Sequence, residues 1–163
     1  MIGRAHEREF EEFVRTSADG LVRTAYLLCG DAGHAEDLVQ VTLLRTARRW
    51  RTARRNPRAY ARRVLVNLTR DRWRNLARRP REAPLDADVP LLDEDGDHDA
   101  LITAVRDLPH GQRAVVALRF LDGLSVEETA AALGCSTGTV KSQTHRALAS
   151  LRRALTPTGG ATS

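Results

Sequence analysis

Between Leu124 and Leu155 the chain encodes two short helices and the turn that joins them. Ser125-Val126-Glu127-Glu128 has the spacing of a capping box, in which the serine hydroxyl takes the Glu128 amide and the Glu128 carboxylate reaches back to the Ser125 amide. The helix it opens carries Ala130, Ala131 and Leu133 on one side and stops at Gly134. Ser136 is placed to cap a second helix, where Val140, Ala147, Leu148, Leu151 and Leu155 recur on one face. The opposite face carries Thr139, Lys141, Ser142, His145 and Arg146, all donors to phosphate oxygens or base edges. Helix, glycine turn and a second helix with a basic, hydroxyl-rich face form a helix-turn-helix pattern, its second helix suited to a DNA groove. An ordinary helical hairpin with a solvated face requires neither the box nor the basic face.

Charge shows how the rest is organised. Residues 1–44 carry net −4, residues 45–81 carry fifteen arginines against Asp71 alone, residues 82–99 carry eight acids and no Lys or Arg, and residues 100–163 carry net +3. The overall +5 therefore hides a segregated field. Such arginine density exceeds what solubility needs, and its natural partner is a polyanion. The acidic block holds Pro84, Pro90 and Gly96, which break any helical period, so Glu82 to Asp99 is expected to be a linker with little fixed structure. In the free protein three arrangements are open: the linker folds back on the arginine helix, the C-terminal domain packs there, or the linker is a plain tether.

The architecture expected is all-α: two small helical domains joined by that flexible acidic linker. Apolar residues make up 42% but aromatics only 4%, which implies aliphatic cores, and no run alternates at period two. Four N-terminal helices are expected: about Arg4 to Thr16, with Phe10, Phe13 and Val14 inward; about Gly20 to Cys29; about Ala32 to Arg49, capped by Asp31, with a Leu38, Val39, Thr42 and Thr46 stripe; and Pro57 to about Arg78. The last has an apolar stripe of Ala61, Val64, Leu65 and Leu68, with Trp73 a further candidate. No apolar run approaches the roughly 20 residues that span a bilayer, and the first residues lack the apolar core of a signal peptide. Cys29 and Cys135 stand far apart and are expected to be reduced and partly buried, as in cytosol. No metal-ligand spacing, nucleophile–base pair or phosphate-cradling loop occurs, so neither cofactor nor enzymatic activity is expected.

Two segments carry a family resemblance. Asp31-Ala32-Gly33-His34-Ala35-Glu36-Asp37-Leu38-Val39-Gln40, then an arginine-rich helix with Val64-Leu65-Val66-Asn67-Leu68, and later Gly138-Thr139-Val140-Lys141-Ser142-Gln143-Thr144-His145-Arg146-Ala147, resemble the extracytoplasmic-function (ECF) sigma factors of the bacterial sigma-70 family, in a sigma-E-like group abundant in actinobacteria. The match spans about residues 5–155. It implies that residues 8–79 are region 2, residues 82–99 the linker and residues 100–153 region 4. It also implies a non-enzymatic, cytoplasmic initiation factor that directs core RNA polymerase to specific promoters and assists their melting. The partners implied are core RNA polymerase, through its β′ clamp helices and β flap, promoter DNA, and an anti-sigma factor as a further candidate, without membrane insertion.

By position, the resemblance makes Asp37, Leu38 and Gln40 part of the polymerase-gripping surface, with Val41 where the family usually has an acid. The −10 strand falls to the loop before the fourth helix and to Tyr60, Arg63, Asn67, Arg70, Asp71 and Arg74. Arginines suit phosphates, an aromatic suits stacking, and amide or carboxylate groups suit an extruded base edge. Tyr60 and Trp50 are each as readily core residues as stacking platforms, and Trp73 suits a domain edge. The −35 element falls to Thr139, Lys141, Ser142, His145 and Arg146, with Arg119 a candidate phosphate contact. Lys141 and Arg146 suit guanine or phosphate equally. The alternative is a helix-turn-helix regulator that binds operator DNA as a dimer without being a sigma subunit, or an interaction protein without promoter selectivity.

Overall fold

The computed structural model describes residues 3–77 and 96–156, with side chains over 3–71 and 100–156. Among these residues there are helices and no strand. The chain divides into two compact units, Met1–Val89 and Pro90–Ser163.

The first unit opens with α1, Arg4–Cys29. The sequence pattern predicts two helices here, about Arg4 to Thr16 and about Gly20 to Cys29, whereas the structure has one. Phe13, Ser17, Leu21, Thr24, Ala25 and Leu28 form one uninterrupted buried stripe through the proposed break. A lone glycine costs a helix interior only about 1 kcal/mol relative to alanine, less than that packing contributes. α1 ends at Gly30, whose φ of 75° lies in the left-handed region, with its amide on the Tyr26 carbonyl at 2.8 Å.

Asp31 caps α2 (Ala32–Arg48) as expected, accepting from the His34 amide at 3.2 Å. Ala35, Val39, Thr42 and Thr46 are its buried residues, while Leu38 is only half-buried. The Thr42 and Thr46 hydroxyls donate to the Leu38 and Thr42 carbonyls, each at 2.7 Å, which satisfies buried polar groups within the helix itself. A short helix that the sequence reading missed, α3 (Trp50–Ala53), precedes α4 (Pro57–Ala77). Asn56 accepts the Ala59 amide at 3.2 Å, with Pro57 in the first helical position.

In α4 the expected stripe is rotated. Ala61, Leu65, Val66 and Thr69 are buried, whereas Val64 and Leu68 are half-exposed. Trp73 lies outside the described side chains. Helices α1, α2 and α4 pack pairwise into one core, and α3 rests on α2 and α4.

The second unit comprises α5 (Gly96–Arg106), α6 (His110–Val116), a π turn (Ala117–Leu121), α7 (Val126–Leu133) and α8 (Thr137–Leu155). Of the expected linker, residues 82–95 lie outside the described residues, but Gly96 to Asp99 are helical, which corrects its C-terminal bound. Acids are favoured at a helix N-terminus by its dipole, so an acidic run marks a helix start as readily as a linker. α8 is central, packing against α5, α6 and α7.

Candidate nucleic-acid interface

The capping box is present in both directions: the Glu128 amide donates to Ser125 Oγ at 3.0 Å, and the Ser125 amide to Glu128 Oε1 at 3.1 Å. At Gly134 a φ of 67° turns the chain, a conformation that L side chains rarely adopt. Ser136 then caps α8 through the Thr139 amide at 3.1 Å. Val140, Thr144, Ala147 and Leu151 are buried, and the Thr144 hydroxyl donates to the Val140 carbonyl at 2.6 Å. Leu148 is half-buried, and Leu155 is exposed, contrary to its expected place on the apolar face. With Leu101, Leu148 and Leu151 it lines an open recess at the end of α8. Thr139, Lys141, Ser142, His145 and Arg146 are all exposed and lie together along the outer side of α8. The Thr139 hydroxyl also lies 2.9 Å from Ser136 Oγ, so it serves the cap as well as the surface. Arg119 stands apart from this group, half-buried in the π turn, with its guanidinium 5.7 Å from the centre of the Phe120 ring.

On α4, Arg63, Asn67 and Asp71 are exposed, and Tyr60 and Arg70 are half-buried. At about 100° per residue these five fall within roughly a third of the helix circumference, opposite Ala61, Leu65 and Thr69. Arg74 lies beyond the described side chains. Arg51 of α3, Arg55 of the connection and Arg58 in the first turn of α4 add three exposed cations, which the sequence pattern marks only through the arginine density of their block.

Trp50 is a core residue. It is 3% exposed and lies edge-on to Phe10, with ring centres 5.2 Å apart, and 5.8 Å from Phe13. Below α3, Glu9 of α1 holds Arg54 in a fork, Nε donating to Oε2 at 3.0 Å and Nη2 to Oε1 at 2.9 Å. The Arg54 hydrogen bond holds the Glu9 carboxyl below its ordinary value, and the same bond raises Arg54. A recess of about 320 Å³ opens beside them, lined by His6, Ala47 and Arg48 to Thr52.

Asp37 and Gln40 stand exposed on the outer side of α2, with Leu38 at its edge. Two apolar residues that the sequence pattern does not mark join them: Val41 and Leu44 are 39% and 53% exposed on the same side. Helical spacing places residues 37, 40, 41 and 44 together, so an apolar strip flanked by an acid and an amide faces outward.

A basic helix-turn-helix in one helical unit and an arginine-coated helix in the other are the surfaces of a nucleic-acid-binding protein. Residues 13–79 match the model of Sigma-70 region 2, and residues 98–151 that of Sigma-70, region 4. The RNA polymerase sigma-E factor of Streptomyces coelicolor is 46% identical over 154 residues, covering 90% of this chain and 86% of that one. The ECF RNA polymerase sigma factor SigE of Mycolicibacterium smegmatis is 38% identical, over 88% of this chain and 60% of its own. The solved sigma factor RpoE, in complex with the anti-sigma factor NepR from Bartonella quintana, superposes with a TM-score of 0.74 at 26% identity, covering 91% of this chain and 97% of that one. CnrH, in complex with the cytosolic domain of CnrY, gives 0.66 at 25% identity, covering 90% and 87%. The chain belongs to the sigma-70 family, as a SigE-like ECF sigma factor. As such it directs core RNA polymerase to specific promoters and takes part in their opening. No helix among the described residues is long and apolar enough to cross a membrane.

Proposed function

We propose that the sigma activity is divided between residues 8–79, acting as region 2, and residues 100–153, acting as region 4, with the acidic segment from residue 82 up to the start of α5 connecting them. In region 2, Asp37, Leu38, Gln40, Val41 and Leu44 dock on the β′ clamp helices of core polymerase. Tyr60, Arg63, Asn67, Arg70, Asp71 and Arg74 hold the opened −10 strand: arginines on phosphates, Tyr60 against a base face, Asn67 and Asp71 on a base edge. In region 4, Thr139, Lys141, Ser142, His145 and Arg146 enter the major groove of the −35 element, Arg119 meets flanking phosphate, and the β flap docks on the same unit. Catalysis belongs to the polymerase, so the chain is a non-enzymatic subunit without cofactor that works in the cytoplasm. RpoE and CnrH are held by anti-sigma proteins in their structures, and we extend that class of partner to this chain.

The observation that carries the reading is the division of α8, where Val140, Thr144, Ala147 and Leu151 are buried beneath an exposed Lys141, Ser142, His145 and Arg146. Transcription from a library of promoter fragments by purified core polymerase, with and without the chain, tests it. A discrete set of transcripts that depends on the chain is expected, and operator binding by the chain alone with no new transcripts would favour the regulator instead. In the same assay Arg146→Ala costs about 1–3 kcal/mol at one −35 position if the guanidinium reads a base. If it holds phosphate, binding weakens on all sequences alike and the salt slope falls by about one. An unchanged promoter set and salt slope would remove this face of α8 from the DNA.

A further inference from the structure

Helix α3 carries two anchors four residues apart, and both hold the same partner. Trp50, its first residue, packs its indole against Phe10 and Phe13 of α1. Arg54, which follows its last residue, is gripped by the Glu9 carboxylate through two hydrogen bonds. Residues at i and i+4 of a helix share a face, so the face of α3 carrying Trp50 and Arg54 is turned to α1. Arg51, Thr52 and Arg55 are left exposed. The aromatic contact and the packing on α2 and α4 fix where α3 lies, which leaves rotation of the chain just beyond Ala53 to be restrained. The second anchor, about one helical turn away, prevents that rotation, and a planar guanidinium–carboxylate fork is directional where a single charge contact is not.

We propose that Glu9 is a positioning residue for promoter opening: by clamping Arg54 it fixes the α3–α4 connection so that Arg51, Arg55 and Arg58 are aimed together at the promoter strand. This rests on the reading of α4 and its preceding loop as the −10 surface. Arg54 thereby differs from the arginines around it, its charge being spent inside the protein. The pair joins residues 45 apart in sequence, and both side chains are 42% exposed, so it adds little to global stability while setting local geometry.

The sign of the expected effect separates this from simple electrostatics. Glu9→Gln removes a negative charge close to a DNA-binding surface, and unspecific attraction would then tighten DNA binding and favour opening. Positioning predicts the reverse.

The test uses the full chain assembled with core polymerase on a promoter found in the transcription assay. Strand opening is followed by permanganate reactivity of the −10 thymines, alongside core affinity and the unfolding midpoint. Glu9→Gln is expected to slow opening by up to about fivefold, the factor corresponding to the upper end of an exposed ion pair, with core affinity and midpoint at wild-type values. Arg54→Glu alone slows opening further, and the exchange Glu9→Arg with Arg54→Glu restores it. If Glu9→Gln opens as fast as wild type or faster while Arg63→Ala slows opening, the positioning role is overturned and the −10 reading stands. If neither variant matters, the −10 reading falls and the positioning role with it. If the exchanged pair behaves like Arg54→Glu alone, Arg54 acts on DNA by its own charge and Glu9 positions nothing.

Discussion

Arg113, a cationic residue only 3% exposed, donates through Nη2 to the backbone carbonyl of Arg106 at 2.6 Å. The same nitrogen reaches the Leu108 carbonyl at 3.1 Å. A helix leaves its last carbonyls without intrahelical partners and carries partial negative charge there, so a buried guanidinium serves both needs at the end of α5. Replacing Arg113 by Ala would strand those carbonyls and leave a void beneath α6. A loss of about 2–4 kcal/mol in the second unit is expected. Both tryptophans lie in the first unit, so the change should be read by amide hydrogen exchange in α5 and α6; unaltered protection there would show that water replaces the guanidinium without penalty.

Asp31 ties the stability of the first unit to pH. The His34 amide, and then the His34 side chain with Nδ1 3.2 Å from Oδ2, hold its carboxyl below the ordinary value of 3.8. A carboxyl whose folded value lies below its unfolded one contributes stability above the unfolded value and loses it as pH falls through the folded one. Asp31→Ala should therefore cost about 1 kcal/mol near neutral pH. The gap from wild type should close below pH 3.8, as both proteins lack the anionic cap. A gap independent of pH would mean that the side chain acts by packing.

Gly20 marks where α1 can be strengthened. A Cβ there meets nothing within 4 Å, and the backbone is helical on both sides. Gly20→Ala should stabilise the first unit by about 0.5–1 kcal/mol. Denaturant unfolding followed by the fluorescence of buried Trp50 would register it as a raised midpoint at unchanged slope. A lowered midpoint would show that the helix needs a flexible residue at that place.

Leu44 tests the outer side of α2. Being 53% exposed, it contributes little to the core, so Leu44→Asp should leave the unfolding midpoint where it was. Binding to core polymerase should weaken by about 1–2 kcal/mol if the strip is desolvated on docking. Equal affinity by fluorescence anisotropy would move the polymerase-gripping surface elsewhere on the first unit.

What the sequence disclosed and what it hid divide along the range of the interactions. The caps at Asp31, Ser125 and Ser136 and the turn at Gly134 are local hydrogen-bond geometry, written within three or four residues, and each stands where its motif placed it. The exposed face of α8 followed from the period of its buried one. Gly20 misled because a weak local break was weighed without the stripe that runs through it. Val41 and Leu44 were missed because an apolar residue in a helix is ordinarily read as core; only the packed neighbours reveal which side is covered. Glu9–Arg54 and Trp50 with Phe10 join residues some forty positions apart, and no spacing rule brings such partners together.

The π turn at Ala117–Leu121 sets a phase. The Asp122 amide reaches back five residues to the Ala117 carbonyl at 3.1 Å, so this turn holds one residue more than an α-helical turn. Each helical residue advances the chain by about 100° around the axis. The surplus residue thus decides the heading on which the chain leaves α6 and hands Leu124 to the core, with Phe120 and Leu121 turned outward. Because α8 packs against α5 and α6 as well as α7, a single-codon deletion here would set a chain path swung by about 100° against the contacts that seat the recognition helix. The aim of the recognition helix is held by a count of residues upstream of it as much as by its own side chains.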